Sequence, residues 1–245
     1  MNKPFDAAPA YINNITSLWK AASLPFQALH EFPAFSYCAI EGVSWPNKLW
    51  FHKDLTEASL QQAFTAVPAL IHQLSIPHWD VYGTDSWKIL EAKGYVVRSQ
   101  ATGMWMPLQE PFELNGQLQF EPVTNMPAAI LWKDIFFQSF NYLIPEDIVM
   151  QSRHAIHYYV AFHENQPVGC AMLFMTGKVA GIHSVGVLPA MRRKGFANEI
   201  MRFLLNEAIE LNSSHAVLHA SQMGKDLYLK LGFEEAFAVR NYVLP

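Results

Sequence analysis

The sequence predicts an α/β (α+β) fold in which a mixed, mostly antiparallel sheet is flanked by helices. Its 245 residues are 51% hydrophobic, enough to bury a sizeable core. Apolar runs of strand length alternate along the chain with segments whose apolar residues have helical period. In the C-terminal half they form an antiparallel hairpin followed by a strand–helix–strand unit, which predicts a mixed sheet. A weak internal repeat places similar elements in both halves.

The C-terminal half has the clearest order of elements. An apolar stripe with helical period predicts a helix from Gly195 to about Leu211; its members are Ala197, Ile200, Met201, Leu204, Ala208 and Leu211. A nearly all-apolar run at residues 215–220 is typical of a strand buried on both faces. The other predicted elements are a strand at 118–123, helices at 128–140 and 146–152, a hairpin of 157–163 with 168–175, and a strand at 181–188.

The repeat divides the chain. Residues 89–97 align without a gap over residues 227–235, and residues 104–107 align over 242–245. Each copy is a helix ended by glycine, an aromatic residue and a final strand. A proline-rich stretch with an Asn-Gly pair separates the copies. We therefore predict an N-terminal domain at 1–108, a linker at 109–117 and a second domain at 118–245.

The basic turn at residues 192–197 distinguishes the two copies. A strand that stops at Pro189, passes through Arg192-Arg-Lys-Gly195 and enters a helix leaves backbone N–H groups free at the positive helix end, which binds phosphate. The repeat aligns Asp54 with Arg192 and Glu57 with Gly195. We expect these carboxylates to cap the helix of the first copy as a capping box and to repel phosphate. That copy is therefore interpreted as degenerate and structural.

Composition excludes several classes of protein. The net charge of -4 gives no general attraction to nucleic acid or to an anionic membrane. Cys38 and Cys170 are far apart without metal-ligand spacing, so free buried thiols and no metal site are expected. The N-terminus lacks an apolar leader, and no apolar run is long enough to span a bilayer. These features favour a cytoplasmic protein; the oligomeric state stays open.

Three segments together resemble the GCN5-related N-acetyltransferase (GNAT) superfamily over most of residues 118–245. They are Val185-Gly-Val187, Arg192-Arg-Lys-Gly-Phe-Ala197, and Leu227-Tyr-Leu-Lys-Leu-Gly-Phe233. The resemblance implies a GNAT fold, here as two tandem copies, and acetyl-CoA as cofactor. It implies that loop amides hold the pyrophosphate and that the preceding strand lines the pantetheine arm. The implied cofactor-binding residues are Val185, Gly186, Val187, Arg192, Arg193, Lys194, Gly195, Phe196, Ala197, Asn198 and Ser221.

The resemblance also implies catalytic roles. A tyrosine at the position of Tyr228 protonates the departing thiolate; the alternative is a core aromatic, and the first copy has Leu90 there. Ser221 stands where many relatives carry an asparagine that bonds pantetheine, and it is equally a candidate N-cap of the next helix.

His183 is the candidate general base. In the arylalkylamine branch of the superfamily a histidine stands similarly nine residues before the motif arginine. Strand alternation predicts His183 on the same face as Val185 and Val187. A hydrogen-bonded structural histidine is at least as good an interpretation. His219, His154, His157 and a water chain are further alternatives.

The sequence thus predicts an N-acetyltransferase that moves an acetyl group from acetyl-CoA to a primary amine, small or peptidic, by direct attack in a ternary complex. Aromatic residues at 136–144 suit an apolar acceptor or are core, and most of the N-terminal tryptophans are expected to be core. Alternatives are an acyltransferase with another acyl-CoA or a hydroxyl acceptor, and a non-catalytic acyl-CoA-binding module.

Overall fold

A computed structural model describes residues 5–245; the first four residues, on which the expected lack of a leader partly rests, lie outside it. The helices are α1 (Ala7–Ser23), α2 (Glu57–Ala66), α3 (Trp87–Ala92), α4 (Met126–Phe140), α5 (Glu146–Ser152), α6 (Phe196–Glu210) and α7 (Lys225–Lys230). The strands are β1 (Leu29–Glu31), β2 (Phe35–Cys38), β3 (Lys48–Phe51), β4 (Ile76–Trp79), β5 (Val96–Pro107), β6 (Gln119–Pro122), β7 (Ile156–His163), β8 (Gln166–Thr176), β9 (Val179–Val187), β10 (His215–Ala220) and β11 (Glu234–Val243).

The strands form two sheets joined by one parallel bridge. Eight strands follow the order β4-β11-β5-β10-β9-β8-β7-β6, and β1-β2-β3 form the second sheet. The Leu49 N–H donates to the Ser75 carbonyl oxygen at 3.0 Å, which connects β3 to the start of β4. In the eight-stranded sheet β9 and β10 are parallel and the other pairs are antiparallel. The predicted mixed, mostly antiparallel sheet with flanking helices is confirmed.

Strands from both halves of the chain alternate at the centre of this sheet. β5, from the N-terminal half, lies between β10 and β11 and pairs with both. β11, from the C-terminal half, pairs in turn with β4. Residues 108–118 contain no helix or strand, and Phe112 exchanges two hydrogen bonds with Asn206 of α6. The division into domains stays a prediction, because the two halves contribute strands to one sheet.

The buried core is also shared between the halves. Its largest cluster lies between α1, α4 and the sheet and contains Trp19, Trp50 and Trp79 together with Trp132 and Phe237. A second cluster lies between the sheet and α6, and a third fills the N-terminal half. Trp19, Trp45, Trp50 and Trp79 are buried, so most of the N-terminal tryptophans belong to the core. Cys38 and Cys170 are free and buried, as predicted.

Two local predictions were wrong. The helix α2 is capped by the hydroxyl of Thr56, which accepts from the Ser59 N–H, while Ser59 Oγ accepts from the Thr56 N–H. This capping box replaces the carboxylate box expected from Asp54 and Glu57, because the hydroxyls stand at the box spacing and Asp54 is held elsewhere. Leu211, expected on the buried stripe, is 42% exposed because α6 ends at Glu210.

A β-bulge separates residues that simple alternation places together. Met172 faces His183 and Cys170 faces Gly186, so Ala171 alone opposes two residues of β9, Ser184 and Val185. Ser184 has a φ of 53°. His183 therefore points towards α1, whereas Val185 and Val187 pack on the α6 side. The predicted common face of these three side chains is wrong, since a bulge inserts one extra residue.

Candidate active site

The loop between β9 and α6 presents unpaired backbone donors. The N–H groups of residues 193–197 make no hydrogen bond within residues 5–245, and the first N–H to be paired is that of Asn198, with the Gly195 carbonyl oxygen at 3.0 Å. Arg193 and Gly195 adopt left-handed backbone with φ of 63° and 85°. Glycine takes this conformation without strain, and no side chain caps α6 at Gly195. The loop thus has the features of an anion site at a helix N-terminus.

The charged side chains of the loop have different partners. Arg192 donates from Nε to the Val187 carbonyl oxygen (3.1 Å) and from Nη2 to the Ser139 carbonyl oxygen (3.2 Å). Its guanidinium therefore ties the end of β9 to α4. Arg193 and Lys194 are exposed. Phosphate charge at this loop would meet these two side chains and the backbone donors.

The strands β9 and β10 diverge beside the loop. They pair in parallel only from Val179–Gly181 with His215–Val217. Beyond Gly181 and Val217 the two strands separate, and we call this opening the fork. Val185 and Val187 are half-buried on the α6 side of the fork. On the other side of the fork, position 186 has no room for a side chain, because a Cβ there would lie 2.8 Å from both Phe140 Cε2 and Ser139 Cβ. Glycine is therefore required at this position.

Tyr228 lies on α7, which follows β10. Its side chain is half-buried against the cluster behind α6, and its ring stands edge-on to Phe233 at 6.0 Å. Burial raises the pKa of Tyr228 to about 12, so the phenol keeps its proton at neutral pH. The hydroxyl has no hydrogen-bond partner among the described residues. The residue aligned with it, Leu90, is fully buried on α3.

Ser221 is not the N-cap of α7. That helix begins at Lys225, and its N-cap is Gly224. The carbonyl oxygen of Ser221 accepts from the N–H groups of Gly224 and Lys225, while the residue itself is exposed. A turn of three residues stands between Ser221 and the helix, so its hydroxyl is left for another partner.

His183 and His219 stand on facing strands at the fork, with ring centroids 6.3 Å apart. His183 is 5% exposed, and its Nε2 lies 3.0 Å from Asn14 Oδ1 of α1. Burial, and then the neighbouring His219, lower the pKa of His183 to about 3. His219 is an exposed residue of β10, and its Nδ1 lies 2.9 Å from the hydroxyl of Tyr11. Its protein surroundings, and then Lys48, lower the pKa of His219 to about 4.

The alternative histidines lie elsewhere. His154 and His157 line an open cavity of about 300 Å³ at the β6–β7 edge, with Arg153 and Tyr159. Within residues 5–245 no group of three or more His, Cys, Asp or Glu side chains is placed to hold a metal ion. In the same range we find no helix with the length and apolar character that a bilayer crossing requires.

The end of α4 places aromatic side chains beside the fork. Phe136 and Ile144 are fully buried, which makes them core. Phe137, Phe140 and Tyr142 are more than one-third exposed, and Phe140 touches the position of Gly186. The stretch therefore divides into core residues and an exposed aromatic border of the fork.

Sequence reasoning missed the contribution of α1. Asn14 and Tyr11 on this helix contact the two fork histidines. The signal was present, since Tyr11, Ile15, Leu18, Trp19 and Ala22 recur with helical period and are all buried. A single asparagine on an apolar helix face matches no catalytic motif, so the sequence gave no reason to place Asn14 in the site.

Comparison with known proteins agrees with this geometry. Residues 126–233 match the model of the Acetyltransferase (GNAT) family. No curated protein matches the sequence. Among solved structures, a GCN5-related N-acetyltransferase from Kribbella flavida superposes with a TM-score of 0.70 at 15% identity, covering 92% of this chain and 94% of its own.

Two further structures share the fold. A GCN5-related N-acetyltransferase from Sphaerobacter thermophilus gives a TM-score of 0.62 at 13% identity, over 85% of this chain and 76% of its own. A putative acetyltransferase of the GNAT family from Novosphingobium aromaticivorans gives 0.59 at 12% identity, over the full length of both chains. The fold is therefore the GNAT fold, in which helices flank a mixed sheet. The family model covers residues 126–233, which is less than half of the chain, so these likenesses establish the fold.

Proposed function

We propose that this protein is an acetyl-CoA-dependent N-acetyltransferase that moves an acetyl group to a primary amine by direct attack in a ternary complex. The observation that carries the proposal is the set of unpaired N–H groups at residues 193–197, at the positive end of α6 and beside the fork. Such donors suit the pyrophosphate of coenzyme A. Acetyl-CoA supplies the acetyl group activated as a thioester.

The cofactor residues are proposed as follows. The loop amides and the side chains of Arg193 and Lys194 bind the phosphates, while Arg192 holds the loop on β9 and α4. Val185, Gly186 and Val187 lie along the pantetheine arm at the open edge of β9. Ser221 offers its exposed hydroxyl from the end of β10. The remaining members of the site are Gly195, Phe196, Ala197 and Asn198.

The proton transfers are assigned to two side chains. Tyr228 donates its phenol proton to the departing sulfur, because its raised pKa keeps that proton in place. His183, directly or through one water, accepts the proton that the amine loses. The exposed aromatic border at Phe137, Phe140 and Tyr142 suits an acceptor with an apolar or aromatic group.

The tandem organisation is also proposed. The alignment that superimposes Ile89 on Leu227 superimposes α3 on α7 and the first residue of β5 on the first residue of β11. Each half then has two strands joined by a helix, β3–α2–β4 and β9–α6–β10. The contact between the two strands is parallel in both halves, as a single bridge from Lys48 to Ser75 in the first and as a ladder in the second. These correspondences support a degenerate copy at 1–108, joined through 109–117 to the working copy at 118–245.

Thermal unfolding with and without acetyl-CoA tests the cofactor assignment. A ligand that binds only the native state at 100 times its Kd stabilises by about 2.7 kcal/mol. We expect a clear rise in Tm for the protein. Absence of any shift at saturating acetyl-CoA overturns the proposal.

Thiol release from acetyl-CoA tests the reaction. Spermidine, tryptamine, glycine and a lysine-containing peptide sample the acceptor classes. Release that depends on one of these amines supports N-acetyl transfer. Release only with an alcohol, or only with a longer acyl-CoA, indicates another acyltransferase of the same fold, and stabilisation without release under any acceptor indicates a binding module.

A further inference from the structure

A buried asparagine from α1 organises the fork. Asn14 is completely buried and is hydrogen-bonded at both ends of its amide group. Its Nδ2 donates to the Phe174 carbonyl oxygen and to Thr176 Oγ1, each at 3.0 Å. Its Oδ1 faces Nε2 of His183 at 3.0 Å. One side chain therefore connects the N-terminal helix to two neighbouring strands, β8 and β9.

These contacts determine which nitrogen of His183 carries the proton. The Phe174 carbonyl can only accept a hydrogen bond, so the atom of Asn14 that faces it must be the NH₂ group. The atom facing His183 is then the amide oxygen, which can only accept. His183 must therefore donate from Nε2–H. Its neutral imidazole leaves a lone pair on Nδ1.

That lone pair has no partner in the protein. Nδ1 of His183 is buried and unpaired among the described residues. Buried polar atoms are nearly always paired, so an orphan of this kind marks a place for a ligand or a water. His183 lies on the segment of β9 that has already separated from β10, so this atom is at the fork.

The surrounding groups do not compete for this role. The hydroxyl of Tyr11 is fully buried, and its one hydrogen bond among residues 5–245 is with His219 Nδ1. A phenol that accepted in this bond would leave its own buried O–H without a partner, so donation from Tyr11 to Nδ1 is the arrangement that satisfies both groups. His219 then carries its own proton on Nε2 and presents a donor. Lys48 donates to Ser75 Oγ at 2.6 Å. Among these side chains, His183 Nδ1 is the acceptor at the fork.

Gly181 makes the contact between α1 and β9 possible. A Cβ at this position would lie 1.8 Å from Asn14 Oδ1 and 2.5 Å from His183 Nε2. Any side chain would therefore push Asn14 and His183 apart. Glycine at position 181 therefore leaves room for the hydrogen bond between Asn14 and His183.

We propose that Asn14 is a positioning residue, which accepts the Nε2–H of His183 and so holds the imidazole with its Nδ1 lone pair ready to take the proton of the acceptor amine. This rests on the proposed function, in which His183 is the general base. It gives the N-terminal helix a part in the chemistry of a site whose other residues come from the C-terminal half. It also explains why a buried amide and a glycine face each other across α1 and β9.

Imidazole ¹⁵N NMR of the full-length protein tests the tautomer without any change to the fold. In protein labelled with ¹⁵N-histidine, Hδ2 couples to Nε2 and Hε1 couples to both nitrogens, and a His183→Gln spectrum assigns the signal. We expect a protonated Nε2 and an unprotonated Nδ1 that do not change between pH 5 and 9. A protonated Nδ1 overturns the proposal, whatever the outcome with acetyl-CoA.

Kinetics of two variants test the consequence for the reaction. Asn14→Leu and Gly181→Ala break the same hydrogen bond from its two sides. With the best amine of the panel, we expect kcat to fall by roughly tenfold or more in both, in line with partial loss of a positioned base, while the acetyl-CoA Kd stays unchanged. Wild-type kcat in either variant, if it remains folded, overturns the proposal.

Asn47→Leu is the matched control. Asn47 is also a buried asparagine with three hydrogen bonds, but all three are to the backbone of Ile40 and Val43 in the N-terminal half, whereas the partners of Asn14 are in the C-terminal half. A general loss of stability would lower kcat in this variant too. We expect Asn47→Leu to leave kcat and the His183 spectrum unchanged. A fall in kcat equal to that of Asn14→Leu would show that the Asn14 variant acts only through lost stability, and this would overturn the proposal. Failure of the proposed function is separate, since the wild-type protein would then show no amine-dependent thiol release, whether or not it binds acetyl-CoA.

Discussion

In the proposed repeat the N-termini of α6 and α2 correspond, but the backbone N–H groups at these two helix ends have different partners. At α2 the hydroxyl of Thr56 accepts from the Ser59 N–H, and Asp54 stands next to the helix. At α6 no side chain caps the helix, and the N–H groups of residues 193–197 have no partner within the described chain. At the first end two backbone N–H groups are bound by side-chain hydroxyls, whereas at the second end none of the five N–H groups is bound by a side chain of residues 5–245.

The strand pairs beside these helices differ in the same way. Between β3 and β4 only a cavity of about 20 Å³ remains, lined among others by Asp54, His78 and Leu90. This is room for about one water. Asp54 accepts hydrogen bonds from Thr84 (2.8 Å) and Ser86 (2.7 Å), which close the loop. Under the proposed function, one arrangement of strands and helix serves as scaffold in the first half and as cofactor site in the second, according to a few side chains at a helix end.

The largest expected effect comes from removing the hydroxyl that distinguishes Tyr228 from its counterpart Leu90. Tyr228→Phe should lower kcat by about 10²- to 10⁴-fold, the usual contribution of a general acid. The acetyl-CoA Kd should stay unchanged, because the ring and its contact with Phe233 remain. Thiol release and calorimetric titration measure the two quantities. Full turnover in this variant removes Tyr228 from the reaction.

The second largest effect is expected on acetyl-CoA affinity, when the loop at residues 192–197 receives the glutamate found at the aligned position of the N-terminal half. Gly195→Glu places a carboxylate where Glu57 stands in the alignment, and like charges in contact cost several kcal/mol. We expect acetyl-CoA affinity to fall by about 100-fold or more in calorimetric titration.

Gly195→Ala is the control for backbone strain at φ of 85°. A non-glycine residue in this conformation costs about 1–2 kcal/mol, and a Cβ there meets no atom within 4 Å. Its loss of affinity should be roughly tenfold. Equal losses in the alanine and glutamate variants would mean that charge is not what separates the two loops.

The third effect is the reverse change in the N-terminal half. Asp54→Ala removes a carboxylate that holds two hydroxyl groups, so the free energy of unfolding should fall by about 2 kcal/mol in urea titration. It should not create a second acetyl-CoA site, because the cavity and the Thr56 cap remain. Asp85→Ala, at an exposed ion pair with Lys88, is the control and should lower the free energy of unfolding much less than Asp54→Ala does. Titration to two acetyl-CoA molecules per chain would contradict the closed-loop interpretation.

The smallest effect isolates the cap itself. Thr56→Ala leaves the Ser59 N–H without its acceptor and should lower the free energy of unfolding by about 1 kcal/mol. Thr56→Ser keeps the hydroxyl and should restore most of that loss. Acetyl-CoA affinity should be the same in both variants. A change in affinity would indicate that the α2 end communicates with the α6 loop.

The helices and strands that have a strong local sequence pattern were predictable. The helical stripe of α6, the apolar run of β10 and the turn between β7 and β8 each follow from residue types at fixed spacing. The anion loop followed from Gly195 and the basic residues before it. The sequence did not predict the role of Arg192, whose guanidinium donates to two carbonyl oxygens. No pattern in a sequence distinguishes an arginine that binds the backbone from one that is free to bind a phosphate.

The rest depends on contacts between distant segments. The bulge at Ser184 changed the face of His183, and the glycines on either side of it, Gly181 and Gly186, were the only hint of it in the sequence. The pairing of β5 with β10 and β11 is set by packing over the whole chain. The Asn14–His183 hydrogen bond joins residues that only the fold brings together. These are tertiary effects, which local periodicity does not encode.

The position of β11 between β4 and β5 has a consequence for how the molecule forms. β11 follows every other strand in the sequence, yet β4 and β5 have no complete partner until it arrives. During synthesis the edges of these early strands stay open while more than half of the chain is still to be made. Pairings of such long sequence separation form slowly, and open edges invite association. The arrival of β11 therefore completes the eight-stranded sheet for strands of both halves in a single late step.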